Sequence, residues 1–150
     1  ADGVGNYAPT AYNIMEQALG QPPTVLYYAD HGVQTLSSGL LVNTKTLKQN
    51  PELVRKFTRA TVRGWEAARR DPRAAAESYV KRFPELDVDT ITKMVEGYTS
   101  LMFTSNTTDK PAGWMSETDW QQTLDILEAA GMLESREEDT SVYYTNDFLQ

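Results

Sequence analysis

The stretch Asn50–Pro72, NPELVRKFTRATVRGWEAARRDP, decides how the rest of the chain is read. Asn50 has an N-cap side chain, whose oxygen can accept from the free N–H groups of a first helical turn. Pro51 follows at the position where a missing N–H costs nothing. Glu52 places negative charge at the positive end of the helix dipole. Leu53, Val54, Phe57, Ala60, Thr61, Gly64, Trp65 and Ala68 then recur at helical spacing as one stripe. Arg55, Lys56, Arg59, Arg63, Arg69 and Arg70 fall mostly off it, and their run reads as a solvated face. Asp71-Pro72 ends the helix, because the residue before a proline is pushed out of the α region.

Downstream the pattern stays helical. Pro72 opens a helix with Ala75, Ala76, Tyr79, Val80 and Phe83 on one face, stopped by Phe83-Pro84. Asp87 caps another, with Val88, Ile91, Met94, Val95, Tyr98 and Met102 inward. Thr104–Ala112, TSNTTDKPA, reads as a mobile polar loop. Ser116 with Asp119 three residues on resembles a capping box before a Trp120, Leu124, Leu127 stripe that Gly131 terminates. Glu134–Asp139 is an acidic, solvated stretch, after which Tyr143-Tyr144 and Phe148-Leu149 are expected to pin the tail back. Phe57, Trp65, Tyr79, Tyr98, Trp114 and Trp120 are assigned mostly to the core, with Trp114 less secure where loop meets helix.

Upstream the pattern changes. Residues 1–7 read as a strand running into a loop, and Tyr7 onward as a helix to about Leu19, stopped by Gly20. Pro22-Pro23 leads into Thr24–Tyr28, rich in β-formers. Gly39–Asn43 is apolar at Leu40, Leu41 and Val42, as expected for a strand covered on both faces. Thr44–Lys48 reads as a short helix. Three short strands make a poor independent sheet, so they are expected to pair with polypeptide outside the chain or with a second copy.

With 150 residues the chain can build its own core. A net charge of −7 excludes a nucleic-acid partner, whose phosphates need a basic surface. The absence of cysteine excludes disulfides and thiolate chemistry. No apolar run approaches the ~20 residues of a membrane span. His31 is the single histidine, and with Asp30 and Ser38 it invites a triad. Adjacent residues of an extended segment point to opposite faces, however, so Asp30 is badly placed to orient His31. No glycine-rich phosphate loop and no metal-ligand spacing occurs, so no cofactor, no metal and no catalytic residue is expected.

Several segments resemble, in order, one group of ABC-transporter substrate-binding proteins: the thiamine-pyrimidine, nitrate and alkanesulfonate binders. They are the 50–72 helix, Ala29-Asp30-His31-Gly32-Val33, Gly39-Leu40-Leu41-Val42, Gly113-Trp114-Met115, Ala129-Ala130-Gly131-Met132-Leu133 and Tyr144-Thr145-Asn146-Asp147-Phe148-Leu149. The resemblance implies an α/β fold, the C-terminal portion of a two-lobed periplasmic-binding-protein-like (type II) architecture, helix-rich after residue 44. In it, residues 1–43 would supply crossover strands and a cleft-lining βαβ segment, and residues 44–150 a helical region on one lobe. It implies capture of a small organic solute (pyrimidine-like, sulfonate or carboxylate) between lobes, with an ABC permease as membrane partner. The location would be periplasmic or a cell-surface lipoprotein, the export signal lying in a missing N-terminal half. Asn6, Tyr7, Ser37 and Ser38 would lie at the cleft, with His31 beside them. Tyr7 would give an aromatic wall, and the smaller residues polar contacts. Tyr7 also reads as packing at a strand end, Ser37 and Ser38 as a solvated turn, and His31 as a structural turn residue. Thiamine-pyrimidine binders carry an aromatic pair and a glutamate where this chain has Thr35-Leu36-Ser37-Ser38-Gly39, which counts against a pyrimidine and leaves a sulfonate, a carboxylate or an uncharged heteroaromatic open. The enzymes of the same group, the fungal pyrimidine synthases, carry a cysteine-rich motif that this chain lacks. A pyrimidine-synthase-type enzyme and a helical interaction module are the alternatives.

Overall fold

The computed structural model describes residues 3–149. Six α-helices dominate it: α1 (Ala8–Leu19), α2 (Thr44–Gln49), α3 (Pro51–Arg70), α4 (Pro72–Val80), α5 (Val88–Ser100) and α6 (Glu117–Ala129). The local sequence chemistry sets their ends. Asn50 Oδ1 accepts from Leu53 N–H at 3.2 Å, Asp71 from Ala74 N–H at 2.9 Å and Asp87 from Thr90 N–H at 2.8 Å. Gly20 closes α1 in the left-handed region at φ 68°. Ser116 Oγ caps α6 by accepting from Asp119 N–H at 3.1 Å. The capping box is only half made, because the Asp119 carboxylate turns away to accept from Thr104 Oγ1 at 2.7 Å and Asn106 Nδ2 at 2.8 Å.

The chain divides into two compact units. The first comprises the chain up to Leu26 with Gly64–Met102. Within it α4 packs on α5 and α1 packs on α5. Its buried residues include Pro9, Asn13, Ala76 and Ile91. Pro9 meets the bare backbone of Gly97, where an added Cβ would stand 3.0 Å from Pro9 Cβ. Thr10 and Tyr98 share a hydroxyl hydrogen bond of 2.7 Å, and the Trp65 and Tyr98 rings lie 6.4 Å apart. Arg73–Asp89 and Glu16–Lys93 are exposed pairs that contribute little in water.

The second unit comprises Tyr27–Arg63 and the chain from Phe103 on. Val54, Ala112 and Leu124 are its buried apolar residues, joined by buried Thr58, Thr107, Asp119, Thr123 and Thr140. The 104–112 loop, expected to be mobile, is pinned instead: Thr107 is buried and Thr104 and Asn106 both bond Asp119. The C-terminal tail docks as expected. Trp120 stacks with Tyr143 and Tyr144 at 5.9 and 5.5 Å, and Arg55 lies 5.2 Å over the Phe148 ring. Asn146 clamps Met115 from both sides, its Oδ1 accepting from the backbone N–H at 3.1 Å and its Nδ2 donating to the carbonyl at 2.8 Å.

Three expectations are corrected. The chain is helix-rich, but no strand forms among the described residues; the first residues of the 1–7 segment lie outside them. Thr24–Tyr28 and Gly39–Asn43 carry β-forming side chains, yet a strand exists only when a neighbour completes its hydrogen-bond ladder, and none does so here. Part of the first segment is diverted into a 3-10 turn at Tyr28–His31. Leu40, Leu41 and Val42, expected to be covered on both faces, are exposed, Leu41 completely. Phe57, Trp65 and Tyr79, assigned to the core, are likewise exposed. Part of the roughly 1.5–3 kcal/mol that fully burying each such ring could contribute is therefore unrealised within the chain, most of it at Phe57.

Candidate functional site

Asn6 and Tyr7 belong to the first unit, at the mouth of α1. Asn6 Oδ1 accepts from Tyr7 N–H at 2.8 Å, an arrangement that fixes the entry into the helix. The Tyr7 carbonyl then accepts from Thr10 and Ala11 N–H at 3.2 and 2.9 Å. Tyr7 is the N-cap of α1 with extended backbone, and its side chain is 54% exposed. Tyr7 therefore stands at the helix entrance with about half of its surface exposed.

His31, Ser37 and Ser38 belong to the second unit and are all exposed. His31 ends the 3-10 turn, and Gly32 behind it turns back at φ 83°. The segment before the serines is anchored to α6. Leu36 N–H donates to Thr123 Oγ1 at 2.9 Å, and Gln122 Nε2 donates to Gln34 Oε1 at 3.2 Å. Thr123 itself donates to the Asp119 carbonyl at 2.8 Å. This anchoring was not read from the sequence. Its signal was a polar threonine beside the Trp120, Leu124, Leu127 stripe, where a buried hydroxyl must find partners. The five candidate residues are thus divided between the units, two in one and three in the other.

A concavity of about 210 Å³ lies wholly in the second unit, lined by Gln121, Leu124, Asp125, Arg136, Glu137 and Thr140 among others. It falls below the ~300 Å³ at which small-molecule pockets begin. Arg136 is already engaged by Asp125 and, at 3.7 Å, by Glu128, and these carboxylates raise its basicity further. Burial pushes the Asp119 carboxyl up, but the donors of Thr104, Asn106 and Ser116 outweigh it and hold the group below its ordinary value. That carboxylate is therefore a structural acceptor. No cluster of metal-ligating side chains occurs among the described residues, and no helix there is long and apolar enough to cross a membrane.

Comparison with known proteins supplies the context. The riboflavin-binding protein RibY of Chloroflexus aurantiacus is 31% identical over 116 residues, which are 75% of this chain and 33% of that protein. The chain thus spans about a third of the length of the curated relative it matches. A family model described as NMT1/THI5 like matches residues 1–75, the half that holds all five candidate residues, the whole of α1, α2 and α3, and the first residues of α4. The ordered segments, the helical frame and this match together place the chain in the NMT1/THI5-like family.

Proposed function

We propose that this chain is part of the substrate-binding component of an ABC importer and helps to capture a small organic solute outside the cytoplasm. The observation that carries the reading is its family membership together with likeness to a protein named for riboflavin binding. A planar heteroaromatic solute is the ligand class we favour. It agrees with the exposed Tyr7 ring and with the missing acid in the 35–39 loop, which removes the partner an aminopyrimidine would need. Asn6, Tyr7, His31, Ser37 and Ser38 are the residues we assign to solute contact: Tyr7 by stacking, the others by hydrogen bonds to the heteroatoms of the ring or its side chain. The role is binding rather than catalysis, in line with the relative's name and the absence of cysteine. The partner would be a membrane permease.

Titration with riboflavin, followed through flavin fluorescence, tests the reading in this chain and in the longest gene product that contains it. Stacking on Tyr7 should quench the flavin. Tyr7→Ala and Ser38→Ala should each weaken binding while leaving the helical circular dichroism unchanged. Unaltered affinity in both variants removes these residues from the site. Failure of every isoalloxazine, pterin and pyrimidine tested to bind the longer product refutes the heteroaromatic class.

A further inference from the structure

The backbone just before Ser37 and Ser38 is tied to α6 by one buried hydroxyl. Thr123 is only 6% exposed. Its Oγ1 donates to the Asp119 carbonyl at 2.8 Å and accepts from Leu36 N–H at 2.9 Å. A hydroxyl has a single proton. With that proton directed at Asp119, the oxygen meets Leu36 with its lone pairs, which is what a backbone N–H requires.

The helix that carries Thr123 is itself held. Asp119, one turn earlier, is buried, and its carboxylate accepts from Thr104 and Asn106 at 2.7 and 2.8 Å. Ser116 caps the same end of α6. A second tie, Gln122 Nε2 to Gln34 Oε1 at 3.2 Å, lies on the exposed surface, where water competes for both groups. Ser37 and Ser38 follow Leu36 directly, so few soft dihedrals separate the Thr123 anchor from their hydroxyls. Val33 N–H, bonded to the Tyr28 carbonyl at 3.0 Å, and the Asn43 cap of α2 lie farther along the chain.

We infer that Thr123 is a positioning residue for solute contact: it sets the Leu36 backbone, and thereby the directions in which Ser37 and Ser38 present their hydroxyls. The inference rests on the assignment of these serines to solute contact proposed above. A polar group orients a small ligand only if its own place is fixed by a supporting shell. Thr123 acts through the backbone and not by touching the solute. Serine at this position keeps the oxygen, whereas valine keeps the shape and removes it. In Thr123→Val the Asp119 carbonyl retains its bond in the α6 ladder, so Leu36 N–H is the group that loses its partner.

Riboflavin titration by flavin fluorescence, in the longest gene product that contains these residues, tests the inference together with amide exchange at Leu36. Thr123→Val should keep the helical circular dichroism and speed exchange at Leu36. It should weaken riboflavin binding about 3–10-fold, as expected for one hydrogen bond lost. Thr123→Ser should return both readings to near the wild-type values. With Ser37→Ala and Ser38→Ala already in place, the effect of Thr123→Val on affinity should shrink, because the hydroxyls it positions are gone; independent effects would multiply instead. Unchanged riboflavin affinity in Thr123→Val overturns the role alone. So does an equal loss in both backgrounds, or a loss of helical circular dichroism, either of which makes the hydroxyl a general support of the fold. A wild type that binds no riboflavin overturns the role and also removes riboflavin from the proposed function, which separates the two failures.

Discussion

Gly97 and Gly64 both sit inside helices, α5 and α3, and alanine at either should stabilise an isolated helix by about 1 kcal/mol. Their surroundings differ. At Gly64 an added Cβ meets nothing within 4 Å. At Gly97 it stands 3.0 Å from Pro9 Cβ, 3.2 Å from Pro9 Cα and 3.4 Å from Pro9 Cγ. Pro9 cannot swing aside, because its ring is fused to the backbone of α1 and it is buried. The helices must part by a few tenths of an ångström, which strains the Thr10–Tyr98 hydroxyl bond one residue away on each helix. Overpacking of this kind costs about 1–3 kcal/mol. Gly97→Ala is therefore expected to lose about 1 kcal/mol net once the helix gain of about 1 kcal/mol is set against it. Gly64→Ala is expected to gain about 0.5–1 kcal/mol. The propensity gain is common to both variants, so their difference, about 1–3 kcal/mol, measures the α1–α5 contact alone. Thermal melting followed at 222 nm reads it, since 1 kcal/mol moves the midpoint about 2–4 °C in a chain of 150 residues. Equal stabilisation by the two alanines refutes the packing of Pro9 on Gly97.

Two further outcomes follow from the polar contacts. The carboxyls of Asp87, Asp119 and Asp139 are all held below their ordinary range by backbone, hydroxyl or side-chain amide donors. A carboxyl depressed on folding contributes stability that is full above its unfolded pKa of about 3.9 and is lost as pH falls through the folded value. Urea midpoints should thus fall below about pH 4, and Asp119→Asn should flatten that acid limb; greater stability at pH 3 than at pH 7 contradicts the assignment. Asn146→Ala removes both hydrogen bonds to Met115 and leaves that backbone without these partners, at a cost of about 1–3 kcal/mol. Limited proteolysis should then cut first in the tail after Thr140, and a tail as resistant as the wild type counts against the clamp.

The helices were legible because their signals are local. Asn50, Asp71, Asp87 and Ser116 each satisfy N–H groups within three residues, and a proline or a left-handed glycine needs no distant partner to act. The order of the segments, also local, was enough to give the family. Strands were not legible in the same sense. The sequence of Gly39–Asn43 gives a propensity, but a ladder requires a second segment at hydrogen-bond distance, and its absence leaves Leu41 wholly in solvent. Burial behaves likewise. Phe57 lies on the apolar stripe of α3 yet is exposed, whereas Thr107, in a loop written in polar residues, is buried by its partners around Asp119. Of the candidate site, the residue types and the Asn6–Tyr7 helix entrance were available in advance; the anchoring of Leu36 on Thr123 was not, since those residues are 87 positions apart. Caps, stops and helical stripes were thus fixed by neighbours along the chain, while strand pairing, ring burial and the fate of each helical glycine were decided only by what tertiary packing brought beside them.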